Sequence, residues 1–151
     1  MKQIAWFCLR DHLYPEAIRD SVLLSALQCH ADEPVKLLYL RENLRLIQFV
    51  GAENNRYRIS FDPLAEYLAG LHLVDFHQND PTFWNDFFQH ASIVTNESDC
   101  AGFLGALKEC FEVKADRSVA SQKVIEQISE LTRSRSQRLA AVNDETALLR
   151  D

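Results

Sequence analysis

Glycine is scarce in this chain, with only four residues, Gly51, Gly70, Gly102 and Gly105. None precedes a Lys-Ser or Lys-Thr pair. That excludes the loop in which backbone N–H groups cradle phosphates while a lysine reaches them. Proline is equally sparse, again four, and so few breakers favour helices over a fold of many short strands. The four cysteines, Cys8, Cys29, Cys100 and Cys110, show no Cys-x-x-Cys spacing or short His/Cys cluster. A structural zinc site is therefore not expected, and free buried thiols in a reducing compartment are. Excess positive charge is missing too: 16 Lys and Arg stand against 22 Asp and Glu, a net −6, which weighs against general binding to nucleic acid or an anionic membrane. The N-terminal apolar run from Ile4 is interrupted at Arg10. It is too short for the core of a signal peptide and far too short to span a membrane, so a cytoplasmic location and no membrane partner are expected.

What is present is ordinary for a globular protein. Apolar residues make up 47% and charged residues 25%, so the chain can bury a core and wholesale disorder is not expected. Ile4, Ala5, Phe7, Cys8 and Leu9 predict a first helix ending near residues 11–14, before Pro15. Residues 16–28 place Ile18, Val22, Leu23, Ala26 and Leu27 on the face of a second helix. The Asp32-Glu33-Pro34 cap opens a third, carrying Val35, Leu37, Leu38, Leu40 and Leu44. Two strand-like runs, 46–50 and 57–61, flank a turn containing Gly51, Asn54 and Asn55, residues that tolerate positive φ. Three helices, a two-stranded hairpin and a further capped helix are the element order of a winged helix.

Residues 56–70 carry the most information. Tyr57, Ile59 and Phe61 alternate with Arg56, Arg58 and Ser60, the period of a half-buried strand. Asp62 stands where a helix N-cap belongs and Pro63 at the first helical position, after which Leu64, Leu68, Leu71, Leu73 and Val74 predict one buried face. Tyr57, Asp62, Glu66, Tyr67, Leu68 and Ala69 also resemble the segment that closes the winged-helix subdomain of STAND-class NTPases, in particular the NACHT branch, whose pattern runs close to aromatic-x-Phe-x-(His or Leu)-Asp-x-x-x-Glu-Tyr-Leu-Ala-Ala. Ile59 stands in for the Phe and Gly70 for the last Ala. The short form Asp62 to Ala69 is similar to a bacterial sub-branch. Many members carry, just before the acidic residue, a His described as sensing bound nucleotide. Phe61 occupies that position here, so the role does not carry over.

The resemblance implies a non-catalytic regulatory or scaffold segment of a signalling NTPase. Its partner would be a protein, either an upstream nucleotide-binding domain or another signalling protein. Tyr57, Phe61, Asp62, Pro63, Glu66 and Tyr67 would be structural at the domain junction. The fold expected is mainly α: a winged-helix-like module over residues 1–75, a helical hairpin resembling an α-repeat over 76–113, and a polar helical tail over 114–151.

In the second unit Asp80-Pro81 repeats the cap pattern, and Trp84, Phe87, Phe88 and Ala91 follow at helical spacing. Phe103, Leu104, Leu107, Cys110 and Phe111 mark the next helix, beyond the polar break 95–99. In the tail, Val119, Val124, Ile125, Ile128 and Leu131 form one narrow stripe, predicting a helix over 117–131 and, after it, a weaker helix or a frayed tail that includes the basic run 133–138.

No catalytic constellation stands out. The histidines His12, His30, His72, His77 and His90 are scattered, and Cys29, His30 and Asp32 form the densest group of potential ligands, too few for a metal site. No catalytic residue, cofactor, metal or small-molecule ligand is expected. Arg41, Arg45, Arg56 and Arg58 form a mild local excess of base, offset by Glu42 and Glu53. They are candidate contact residues, as is Phe83, which lies off the main aromatic stripe and is expected to be exposed. A winged-helix DNA-binding regulator and an autonomous helical adaptor are the rival readings.

Overall fold

The apolar pattern of the first residues folds as expected. In the computed structural model, which describes residues 1–26, 33–53, 55–94, 100–115 and 118–148, helix α1 spans Lys2–Leu9 and buries Ile4, Ala5, Cys8 and Leu9. Strand β1 (Ile18–Arg19) and helix α2 (Asp20–Ala26) follow, then α3 (Glu33–Glu42), β2 (Ile47–Val50) and β3 (Arg56–Ile59). Four more helices complete the described residues: α4 (Asp62–His77), α5 (Pro81–Val94), α6 (Ala101–Lys114) and α7 (Val119–Leu148). The protein is mainly helical, with a small antiparallel sheet in the order β1-β3-β2. Among these residues no helix is long and apolar enough to cross a membrane.

The sheet corrects the two-stranded expectation. Ile18, read from its spacing as part of a helix, lies instead in an extended segment opposite Tyr57, with Arg19 opposite Arg56. Pro15 ends the preceding turn, and the free edge of β3 then supplies partners that an isolated helical turn would lack. The Asp20 N–H donates to the Asn55 carbonyl at 2.9 Å, and α2 starts only there. On the other side of β3, Ile47 faces Ile59 and Phe49 faces Tyr57. Ile18, Tyr57, Phe49, Ile47 and Ile59 share the inner face, while Arg19, Arg56, Arg58 and Gln48 share the exposed one.

Helix α3 ends earlier than Leu44. The Leu46 N–H reaches back six residues to the Leu40 carbonyl at 2.9 Å, with Arg45 at φ +52°, the closure usually made by a left-handed glycine. The Asp32 part of its expected cap lies outside the described residues, as do Leu27, Cys29, His30 and Asn54.

Helix α4 is the centre of the packing, set against α1 on one side and α6 on the other. Its leucines predicted a broad leucine face, but the fully buried positions are Ala65, Ala69, Gly70, Leu73 and Val74, with Leu64, Leu68 and Leu71 only half-buried. Small side chains let the two neighbouring helices come close: a Cβ placed on Gly70 would stand 3.2 Å from the Leu107 Cα and 3.1 Å from the Cys110 Sγ. Across the same three helices, Asp75 accepts an ion pair from Lys2 at 2.7 Å and another from Lys114. The two ammonium groups hold the Asp75 carboxyl below its ordinary range.

The aromatic stripe of α5 packs inward as predicted, Trp84 meeting Phe111 and Phe87 meeting Phe103 of α6, with Phe88 buried against Trp84 and Phe87. Each such ring buried contributes about 1.5–3 kcal/mol. One hydrophobic cluster runs from Ile4 and Leu13 through Ile47, Ile59 and Leu73 to Phe103 and Ile128, crossing the boundary placed at residue 75. The tail also differs from expectation, since α7 continues unbroken to Leu148 in place of a helix and a weaker successor. No Gly or Pro lies between Ser118 and Leu148, so nothing in the chain interrupts the helix. Ser118 starts it by accepting the Ser121 N–H at 3.2 Å, and Arg117 lies outside the described residues.

Candidate functional site at the sheet-to-helix junction

Between β3 and α4 the chain turns from extended to helical at Phe61, whose φ of −136° and ψ of 112° make it the N-cap residue. Asp62, expected as the cap, is the first helical residue and makes no capping hydrogen bond. Its two carboxylate oxygens are instead each 2.9 Å from one guanidinium nitrogen of Arg58. Pro63 sits in the first turn as predicted. Phe61 is 62% exposed.

Ser60 anchors the junction to the end of α3. Its N–H donates to the Leu46 carbonyl at 3.0 Å and its hydroxyl to the Arg45 carbonyl at 2.7 Å. Phe61 and the exposed Leu44 thus each lie one residue from the Ser60–Arg45 hydrogen bond, and Leu38 and Tyr39 of α3 are exposed as well. Arg45, a candidate contact residue, is exposed and has a structural role in this turn.

Glu66 and Tyr67 connect the junction to α6. The Glu66 carboxylate lies over Gly102, occupying the space that a Cβ there would need. Burial and the nearby Asp62 charge raise its carboxyl above the ordinary value. The Tyr67 carbonyl accepts from the Cys110 thiol at 3.6 Å, while its side chain is largely open. Tyr57 and Phe49 have ring centres 4.6 Å apart with their planes tilted by 43°, and the Arg41 guanidinium lies over the Phe49 ring at 4.6 Å. Burial, with the Asp20 charge, raises the Tyr57 phenol.

The candidate arginines do not act as one patch. Arg41 is paired with Glu42, its Nη2 2.6 Å from Oε1, and Arg58 is paired with Asp62. Arg56 is exposed and opposes Arg19, which escaped attention because Ile18 and Arg19 read as helical. Only the pairing to β3 makes that relationship, and no spacing in the sequence announces it.

Phe83 is a clearer correction. It is half-buried, stacked on His77 with ring centres 3.9 Å apart and edge-on to Trp6. The loop at residues 78–80 folds α5 back against α4, so a position off the α5 stripe is covered by the preceding helix. His72, also unassigned from the sequence, is packed beside Phe76 and His77 with no hydrogen-bond partner on Nδ1. Among the described residues no group of three or more His, Cys, Asp or Glu is arranged to hold a metal ion. Cys29, His30 and Asp32 lie outside those residues. Comparison with known proteins finds no matching family model, curated protein or solved structure.

Proposed function

We propose that this chain is a non-catalytic regulatory or scaffold segment of a NACHT-type signalling NTPase, packing as a winged-helix-like module against a nucleotide-binding domain in the cytoplasm. The observation that carries this reading is the exposure of Phe61 and Leu44, each one residue from the Ser60–Arg45 hydrogen bond that ties the strand-to-helix junction to the turn after α3. Large apolar side chains left open on both sides of one hydrogen-bonded junction are the kind of surface that another protein covers. The contacts of Glu66 and Tyr67 with α6 support the structural role that the resemblance implies for them, since both join the module to the helices that follow.

The rival DNA reading is weakened by the pairing of Arg41 with Glu42 and of Arg58 with Asp62, which sets two of the four candidate phosphate contacts against carboxylates. The test has two steps. A P-loop domain is expected in the coding sequence upstream of Met1 or in an adjacent gene, and its absence from both overturns the reading. Where it is found, this chain should co-purify with it, and Phe61→Ser combined with Leu44→Ser should abolish the association while leaving the circular dichroism spectrum unchanged. Unaltered association of the double variant would move the interface elsewhere and remove the observation on which the proposal rests.

A further inference from the structure

Arg19 and Arg56 stand directly opposite each other in the β1–β3 ladder, on the exposed face of the sheet. Opposed residues in an antiparallel pair hold their Cβ atoms about 4.5–5.5 Å apart, where like charges repel. Neither arginine has an ion pair among the described residues, although the protein as a whole carries a net charge of −6. Two arginines thus oppose each other across the ladder with no ion pair among the described residues, in a chain with acid to spare.

Both line a pocket of roughly 410 Å³ between the end of α1 and β1. Its two carboxylates, Asp11 and Glu16, have nearer partners than Arg19 and Arg56. Glu16 accepts from the Tyr14 hydroxyl at 2.6 Å and lies 3.7 Å from His12, and Asp11 is 3.4 Å from Arg10. Arg10, a third guanidinium on the wall, also lies over the Phe7 ring at 4.8 Å. Among the described residues neither wall carboxylate forms an ion pair with Arg19 or Arg56.

We infer that this pocket binds the phosphate of a small phosphate monoester, with Arg19 and Arg56 as its two anchors. A carboxylate is matched by the fork of one arginine, whereas a tetrahedral dianion with three free oxygens can accept from two guanidinium groups at once. The pocket falls within the size range of small-molecule sites and is larger than phosphate alone requires. Phe7 and Val22 give the ester group an apolar wall. This departs from the expectation of no small-molecule ligand, and it does not depend on the chain's being part of an NTPase.

The probes are inorganic phosphate and phenyl phosphate, with chloride keeping ionic strength constant. Either should bind saturably by calorimetry and raise Tm with the logarithm of its concentration, by about 5–10 °C at a hundredfold excess over Kd. Phenyl phosphate should bind more tightly than phosphate. Arg19→Gln and Arg56→Gln should each weaken calorimetric Kd by about tenfold or more, whereas Arg41→Gln should not change it. Without ligand, neither variant should lower Tm, because each relieves the repulsion. No rise beyond that in chloride, or an equal rise in the two variants, overturns the site. Phenyl phosphate binding no better than phosphate overturns the monoester assignment. Salt-steep binding of duplex DNA that needs Arg19 and Arg56, without saturable phosphate binding, overturns the small-molecule reading in favour of nucleic acid.

Discussion

Arg58 holds both carboxylate oxygens of Asp62 at 2.9 Å from a single guanidinium nitrogen, across the turn from strand to helix. The same Asp-Pro pair recurs at Asp80-Pro81 with a different outcome, because there the Asp80 Oδ1 accepts the N–H groups of Thr82 at 3.1 Å and Phe83 at 3.0 Å. One aspartate caps its helix and the other pairs with the preceding strand.

That difference has a measurable consequence. Asp80→Ala should destabilise the protein by about 1 kcal/mol, the ordinary cost of losing an N-cap. Asp62→Ala should cost less than about 0.5 kcal/mol, since it breaks an exposed ion pair and no cap. Urea denaturation of the two variants checks the order, and a larger loss at Asp62 would contradict the assignment of roles.

Gly70 and Gly105 should respond oppositely to alanine. At Gly70 the new Cβ meets the backbone of Leu107, which cannot swing aside, so Gly70→Ala should cost about 1–3 kcal/mol by forcing α4 and α6 apart. A Cβ at Gly105 meets nothing within 4 Å, and Gly105→Ala should stabilise by up to about 1 kcal/mol through helix propensity. Thermal unfolding of both variants distinguishes close helix approach from mere helix composition.

His72 gives the fold a pH dependence. Burial, with the neighbouring His77, lowers its folded-state value below the ordinary 6.5. The unfolded chain therefore takes up the proton first as pH falls, and stability must rise with pH across that interval. This contribution is complete above 6.5 and is lost as pH falls through the lower folded value. His72→Gln should flatten the slope of unfolding free energy between about pH 6.5 and the onset of carboxylate titration. An unchanged slope would show that His72 titrates normally in the folded state. Glu66, whose carboxyl is raised, acts in the opposite sense at lower pH: its contribution is present below the unfolded value and is lost as pH rises through the raised folded one.

The thiols of Cys8 and Cys110 should be inert. Burial pushes both up to about 11, so at pH 8 the reactive thiolate is about one part in a thousand. Alkylation followed by peptide mass analysis should label neither in the folded protein within the time that labels both in urea. Rapid modification of Cys110 would mean that α4 and α6 separate readily.

Much of the architecture was legible in the chain. The periodic helices α1, α5 and α6, the strands β2 and β3, and the cap at Asp80 all follow from local patterns, because spacing along a helix or strand decides which side chains share a face. The scarcity of Gly and Pro likewise favoured helices before any contact was known, and absence of both after Ser118 allowed α7 to run on. Local pattern could not reveal that Ile18 and Arg19 join the sheet, because a two-residue strand exists only through its partner. Nor could it show that α4 buries its small residues ahead of its leucines, which is decided by α1 and α6 approaching from two sides. The pairing of Arg19 with Arg56, the diversion of Asp62 to Arg58 and the covering of Phe83 by His77 arise in the same way. Each joins groups whose meeting depends on how elements pack, so residue types and spacing determined the elements while tertiary contact alone decided which charges and rings face one another.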